Sequence, residues 1–203
     1  PEIFKYKNIW YMIPETSERK TIELYKANNF PNGWVKECAL IHNIFAVDTT
    51  IFFKDGRCFI FIYEPKGKEN ILSIGEIDLA EKKMIRKKVV KCYSNRIGRP
   101  AGKILLNGDR MIRPTQYCIN YYGEKVILKE FTFDTESFEY REWDTTELEI
   151  KNILNDSKAF GLHTYNKCNK LEVIDYCKNR FFLFKPFSIL FKRFKMFGYS
   201  FNN

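Results

Sequence analysis

The sequence predicts an all-β fold built from one repeated unit of short strands. Short apolar runs alternate with polar turns along most of the 203 residues, and aromatic and β-branched residues fill those runs. The pattern also recurs about every 50 residues, with about four strands in each unit, which is typical of β-propeller blades. Three units and half of a fourth are present, so we predict an incomplete propeller over residues 1–179.

The first unit begins with a hairpin from Ile3 to Glu15, in which aromatic and β-branched residues flank a polar turn. Pro14 limits the pairing of the second strand, since proline lacks a backbone N–H. Thr21 to Lys26 alternates as a third strand. A turn from Asn28 to Gly33 then leads into a fourth strand from Trp34 to Ile41, which completes a meander.

The second unit starts at Asp48 and repeats this order. Its hairpin runs from Ile51 to Glu64, and it aligns with the first hairpin so that the polar turns coincide. Two further strands are predicted from Ile71 to Leu79 and from Met84 to Tyr93.

The third unit begins at Arg99. A hairpin from Ile104 to Gln116 folds around the turn at Asn107 to Asp109. Strands are predicted from Val126 to Phe133 and from Phe138 to Trp143. This unit therefore has four predicted strands, as the first two units do.

The fourth unit is only half a unit, with strands from Leu162 to Asn166 and from Leu171 to Tyr176. Residues 180–203 form a tail of a different kind, in which phenylalanines recur every three or four residues with lysines and arginines between them. This spacing predicts a short basic amphipathic C-terminal helix. Residues 180–201 would either lie in the headgroup layer of an anionic membrane or pack against an edge of the propeller.

The net charge of +9 makes a polyanion, an anionic membrane or a phosphorylated ligand a plausible partner. Nucleic acid is not favoured, because no recognised motif is present and basic residues interleave with aromatic residues only in the tail. No apolar run of about 20 residues and no signal peptide is found, so we expect a cytoplasmic protein, free or peripheral at the inner face of the membrane. The sequence starts at Pro1 without a methionine, so an upstream transferase domain is a further candidate partner.

The six cysteines show no C-x-x-C pair and no dense spacing, which argues against a zinc ribbon or a disulfide scaffold. We expect reduced thiols, mostly packed in the interior. Neither a metal site nor a cofactor is predicted.

Five motifs together resemble a known family. They are Leu40 to Phe53, Arg99-Pro100-Ala101-Gly102, Arg113-Pro114-x-Gln116, Tyr122-Gly123 and Gly161 to Asn166. In this order they resemble the propeller domain at the N-terminus of plant glucosamine inositolphosphorylceramide transferases, and similar domains occur in bacterial proteins of surface-polysaccharide and glycolipid synthesis. The resemblance implies a five-bladed, arabinanase-like propeller, related to glycoside hydrolase family 43, that here lacks its N-terminal blade.

The candidate site follows from the repeat. Residues at the start of each innermost strand converge at one mouth of a propeller, and these starts are Asp48, Arg99 and His163. The paired strands return further polar residues to the same side. The predicted catalytic residues are Asp48 and Glu15, and the predicted substrate-binding residues are Arg99, Arg113, Gln116, His163 and Asn166. Such a set suits a sugar, a phosphate or both.

The function expected from these observations is a module that acts on or binds a sugar or sugar phosphate in glycolipid or surface-polysaccharide biosynthesis. One alternative is a glycoside hydrolase of the family 43 type, in which Asp48 resembles the pKa-tuning aspartate and Glu15 takes the place of the proton donor. Arg99 and Arg113 would hold Glu15 ionised, which is the opposite of what a donor needs. A second alternative is a basic module that binds a membrane surface or nucleic acid.

Overall fold

The computed structural model describes residues 1–154 and 156–178. The chain is all-β, with 68% strand and 4% helix, which confirms the predicted class. The amphipathic helix predicted for the tail lies outside the described residues. In the part of the chain that the structure describes, no helix has the length and apolar character needed to cross a membrane.

The first sheet is an antiparallel meander in chain order. Its strands are β1 (Glu2–Tyr6), β2 (Ile9–Ile13), β3 (Thr21–Asn29) and β4 (Asn32–His42). The last pair is longer than predicted, because Asn29 pairs with Asn32 and leaves only Phe30 and Pro31 in the turn. A short 3-10 turn (Ser17–Arg19) connects β2 to β3.

The second sheet repeats this topology. Its strands are β5 (Val47–Lys54), β6 (Arg57–Lys66), β7 (Glu69–Asp78) and β8 (Lys83–Ser94). Asp55 and Gly56 form the turn between β5 and β6, with φ of +51° and +72°. Two successive left-handed residues give a turn whose twist matches that of the flanking strands, so the sequence Asp-Gly fixes this hairpin.

The third sheet has one strand more than predicted. Its strands are β9 (Ile97–Pro100), β10 (Leu105–Asn107), β11 (Arg110–Tyr117), β12 (Lys125–Phe133) and β13 (Tyr140–Leu148). Both β9 and β10 pair with β11, so the first strand of this sheet is interrupted and Arg99 lies in its first part. The helix α1 (Ile150–Ile153), which the sequence analysis missed, leads to the two-stranded sheet of β14 (Ala159–Cys168) and β15 (Leu171–Lys178).

Consecutive sheets pack against each other through apolar residues. One cluster joins the first sheet to the second, with Leu24 and Ile60 fully buried. Another joins the second to the third, where the rings of Phe61 and Phe131 meet edge to face at 5.3 Å. A third cluster, which includes Val126 and Leu162, joins the third sheet to the fourth. The first strands also lie side by side, since β1 contacts β5 and β5 contacts β9.

All six cysteines lie in the described residues as free thiols. Cys58 and Cys118 are buried, as predicted. The expected burial is wrong for Cys92, Cys168 and Cys177, which are exposed. These three lie on β8, β14 and β15. The residue type of cysteine alone does not show which positions of a strand face solvent.

Candidate functional site

Asp48 forms the centre of a polar cluster where three sheets meet. Its Oδ2 accepts hydrogen bonds from Nε of Arg99 on β9 and from Nε2 of Gln116 on β11, the latter at 3.0 Å. The φ of Asp48 is +47°, a left-handed conformation that aspartate adopts more readily than most residues. The register of β5 and β6 shifts between Val47 and Thr50, and this irregularity aims Asp48 at the cluster.

His163 extends the cluster to the fourth sheet. Its Nε2 lies 3.2 Å from Nε2 of Gln116, and the Tyr122 hydroxyl contacts the same nitrogen. Its Nδ1 lies 3.3 Å from Oδ2 of Asp175. Because the amide nitrogen of Gln116 can only donate, Nε2 of His163 is the acceptor and Nδ1–H is directed to Asp175. The imidazole is therefore held in one tautomer.

Arg99 lies between two carboxylates. Its Nη2 is 4.0 Å from Oε2 of Glu15, while its Nε bonds Asp48. Burial lowers the pKa of Arg99, but the hydrogen bond and the charge of Asp48 outweigh this effect, so the pKa is raised and the group stays cationic. Ser17 holds Glu15 in place, because its Oγ donates to Oε1 at 3.2 Å.

A central cavity of about 440 Å³ opens beside this cluster. Residues from the first, second, third and fourth sheets line it, including Glu15, Asp48, Lys103 and Asn166. Asn166 accepts a hydrogen bond from the backbone N of Lys103 at 2.9 Å, so its side chain supports the wall. We refer to this space as the central cavity.

Glu2 also lines the central cavity, and the sequence analysis missed it. Burial raises its pKa to about 7, and the charge of Lys103 opposes this shift only in part. In the repeat alignment Glu2 directly precedes Ile3, as Thr50 precedes Ile51 at the head of an inner strand. This alignment of the first unit with the second was the signal in the sequence that could have identified Glu2.

Arg113 is a correction to the predicted site. Its side chain is 0% exposed and lies between the second and third sheets. Its Nη2 donates to Oε2 of Glu142 at 2.6 Å and to the hydroxyl of Tyr93 at 2.7 Å, and its Nη1 donates to the carbonyl of Gly98 at 2.8 Å. All of these partners are internal, so Arg113 holds two sheets together and does not reach a ligand.

The structure thus brings together Asp48, Arg99, Gln116, His163 and, at longer range, Glu15. No group of three or more His, Cys, Asp and Glu residues within the described ranges is placed to hold a metal ion. Carboxylates that accept and guanidinium and amide groups that donate are suited to a ligand rich in hydroxyl groups.

The fold and the cluster define an all-β domain of repeated antiparallel sheets with a polar site where the sheets meet. Residues 1–178 match the family described as glucosamine inositolphosphorylceramide transferase 1, N-terminal, and the chain belongs to this family. The domain type that the motifs indicated is confirmed.

The relatives that match include proteins named glucosamine inositolphosphorylceramide transferase 1. The protein of Oryza sativa subsp. indica is 28% identical over 149 residues, which cover 70% of this chain and 20% of that protein. The protein of Arabidopsis thaliana is also 28% identical over 149 residues, covering 70% of this chain and 19% of that protein. The chain spans about a fifth of the length of these relatives.

Proposed function

We propose that this chain is a carbohydrate-binding propeller module that serves a glycosyltransferase of glycolipid biosynthesis. The observation that carries the proposal is the network around Asp48, to which three sheets contribute and which borders the central cavity. The name of the relatives specifies a transferase that acts with glucosamine and a ceramide lipid. Since the chain matches only a fifth of such a protein, we infer that the transfer step belongs to another domain.

We infer that the sheets are blades of a five-bladed, arabinanase-like propeller. Two contacts support this arrangement: apolar clusters fill the space between consecutive sheets, and the first strands lie next to one another. Blades around a common axis bring their innermost strands together in the same way. The central cavity would then be one mouth of the axial channel.

The chemistry of the central cavity suits a sugar. Glu2, Glu15 and Asp48 provide carboxyl groups that accept hydrogen bonds from hydroxyl groups, and Lys103 provides a donor. An amino sugar adds an ammonium group that ionised carboxylates attract. Glucosamine is therefore the first ligand to test.

Replacing Asp48 with asparagine tests the binding function. The amide cannot form an ion pair with Arg99, so we expect the affinity for glucosamine to fall about tenfold or more. Titration of the chain with glucosamine, followed by NMR, measures this change. Asp109→Asn is the matched control, because Asp109 is exposed in the turn between β10 and β11. Wild-type affinity in a folded Asp48→Asn variant would refute the proposed site.

Glycoside hydrolysis is the second candidate, and Glu2 is the observation that favours it. A carboxyl group with a pKa of about 7 keeps a proton that it can donate near neutral pH, while the nearby Asp48 is ion-paired with Arg99. This function predicts release of the aglycone from an aryl glycoside and its loss in Glu2→Gln. If a panel of aryl glycosides is not cleaved, hydrolysis is excluded and the binding function stands.

A further inference from the structure

A second pocket of about 310 Å³ is lined by Arg99, and we call it the arginine pocket. Its lining consists of Tyr63, Pro65, Gly67, Asn70, Arg96, Arg99, Gln116, Cys118 and Tyr122. Two guanidinium groups are present, and none of these described residues carries a carboxylate. The central cavity is lined by three carboxyl groups and by Lys103, so the two spaces differ in charge.

Arg96 is the feature of this pocket that the site described above leaves unused. Its side chain is exposed and forms no hydrogen bond or ion pair with any residue in the described ranges. Arg57 and Arg86 pair with Glu76, and Arg110 pairs with Glu130. Arg141 on β13 also has no partner among the described residues, but it does not line the pocket. The guanidinium of Arg96 therefore has its donors available for a ligand.

The backbone around Arg96 is held firmly although its side chain is unpaired. Its carbonyl oxygen accepts a hydrogen bond from the N of Cys118 at 3.0 Å. The preceding carbonyl, that of Asn95, accepts one from Nδ2 of the buried Asn70. The turn between β8 and β9 is thus fixed to its neighbours, and Arg96 is presented from a defined position.

The other polar groups form the walls of the arginine pocket. The Tyr63 hydroxyl donates to the carbonyl of Ile97 at 3.0 Å, so it is already satisfied. The guanidinium carbon of Arg99 lies 5.8 Å from the centre of the Tyr122 ring, which forms one side. Because Asp48 binds Nε of Arg99, that guanidinium is oriented, and its Nη1 forms no hydrogen bond with another described residue.

We propose that the arginine pocket binds a phosphate group, as a monoester or diester, between the guanidinium groups of Arg96 and Arg99. Planar guanidinium groups donate in pairs to phosphate oxygens, and the absence of carboxylates from the lining removes the repulsion that an anion would meet. The proposal deepens the proposed function by assigning the phosphate of a sugar phosphate or of an inositol phosphate headgroup. The phosphate site depends on the proposed function only in the assumption that the phosphate is attached to a sugar.

The test is a titration of the chain at low ionic strength with inorganic phosphate, glucose 6-phosphate and glucose, each followed by NMR. We expect phosphate and glucose 6-phosphate to shift signals of the pocket residues. Arg96→Gln is expected to weaken both about tenfold or more, since a charged hydrogen-bond donor is lost. Arg141→Gln is the matched control, because Arg141 is exposed on β13 and does not line the pocket.

The proposal is overturned if neither phosphate compound binds, or if Arg96→Gln and Arg141→Gln bind them as the wild type does. An equal loss in both variants also overturns it, because the effect would then be one of net charge. Tighter binding of glucose 6-phosphate than of inorganic phosphate identifies a sugar phosphate as the ligand, and equal binding identifies the phosphate alone. If the wild-type chain binds phosphate but not glucosamine, the proposed sugar site in the central cavity is refuted and the proposed phosphate site in the arginine pocket is not.

Discussion

Arg99 and Arg113 occur in similar motifs, yet the structure gives them different environments. Arg99 keeps 25% of its side chain exposed and lines the arginine pocket, whereas Arg113 is 0% exposed. The difference arises from the face of the strand on which each residue lies. Arg113 points between sheets toward Glu142, whose side chain is 1% exposed.

Replacing Arg113 with methionine should lower the free energy of unfolding by about 3 kcal/mol, because Glu142 then loses its buried ion-pair partner and keeps only the more exposed Lys91 at close range. Chemical denaturation followed by circular dichroism measures this loss. Arg141→Met, on the exposed face of β13, should change stability by no more than about 0.5 kcal/mol. Comparable losses in the two variants would contradict the structural role of Arg113.

The same pair predicts a dependence of stability on pH. Burial acts to raise the pKa of Glu142, but the charge of Arg113 and hydrogen bonds from Tyr140 and Tyr93 lower it below its ordinary value of 4.5. A lowered pKa in the folded state stabilises the protein above pH 4.5, and this contribution is lost as the pH falls below that value.

Glu142→Gln should therefore destabilise the protein most at neutral pH. The difference from wild type should narrow progressively as the pH falls below about 4.5, because the Glu142 carboxylate of the unfolded wild-type chain takes up a proton there. Urea denaturation of both proteins at about pH 7, 5, 4 and 3.5 measures the difference in the free energy of unfolding on both sides of pH 4.5. A difference that does not vary with pH would show that Glu142 contributes through packing and not through its charge.

At the scale of elements, the third and fourth sheets meet at the end of β9. The carbonyl of Ala101 accepts a hydrogen bond from the N of Tyr165 at 2.8 Å. Gly102 follows with φ of +144°, and a Cβ there would overlap the carbonyl oxygen of Tyr165. Only glycine allows the two backbones to approach this closely.

Gly102→Ala is expected to destabilise the protein by about 2 kcal/mol or more, because strain and a backbone clash combine. Thermal unfolding provides the measurement. Gly108→Ala is the control: its φ is +60° and a Cβ there meets nothing within 4 Å, so only the cost of the left-handed conformation, about 1 kcal/mol, applies. A Gly102→Ala variant no less stable than Gly108→Ala would disprove the close contact.

Basic residues of the strand β8 form ion pairs within the protein. The sequence concentrates basic residues there, and they contribute to the net charge of +9 that made a polyanion a plausible partner. In the structure Arg86 pairs with Glu76 at 3.0 Å, Lys87 with Glu64 at 2.6 Å, and Lys91 with Glu142 at 2.9 Å. These charges hold neighbouring strands and sheets together, whereas the less conspicuous Arg96 remains unpaired among the described residues.

At the scale of the whole molecule, aromatic side chains join one sheet to the next. The rings of Phe52 and Phe61 in the second sheet pack edge to face on Phe131 of the third, at 5.8 and 5.3 Å. Phe133 adds a contact with Phe59 at 5.0 Å. Since adjacent sheets bury apolar side chains against each other, we expect them to unfold together.

Phe131→Ala should lower the free energy of unfolding by about 3–5 kcal/mol through the cavity that it leaves. The loss should appear equally in circular dichroism and in tryptophan fluorescence, because Trp10 and Trp34 report on the first sheet and Trp143 on the third. Leu106→Ala is the control, since Leu106 is 72% exposed and should change stability by no more than about 0.5 kcal/mol. Separate transitions for the two probes would contradict a shared core.

Much of the fold was predictable because strand signals are local. Alternating apolar residues and the turn at Asp55 and Gly56 placed the strands of the first two sheets within a few residues. The prediction failed where an element is short or its pairing is distant. Four residues of β9 and four of α1 carry too little periodicity, and the pairing of β9 with β11 depends on tertiary contacts.

The sequence by itself determined the all-β class, the repeated meander and the segments that supply Asp48, Arg99, Gln116 and His163, because period-two patterns and turn residues act over a few neighbours. Only the tertiary structure decided which of these side chains share a cluster, that Arg113 is internal and that Glu2 lines the central cavity. The physical reason is that burial and ion pairing depend on which faces of distant strands meet. Residue type and spacing along the chain do not fix that arrangement.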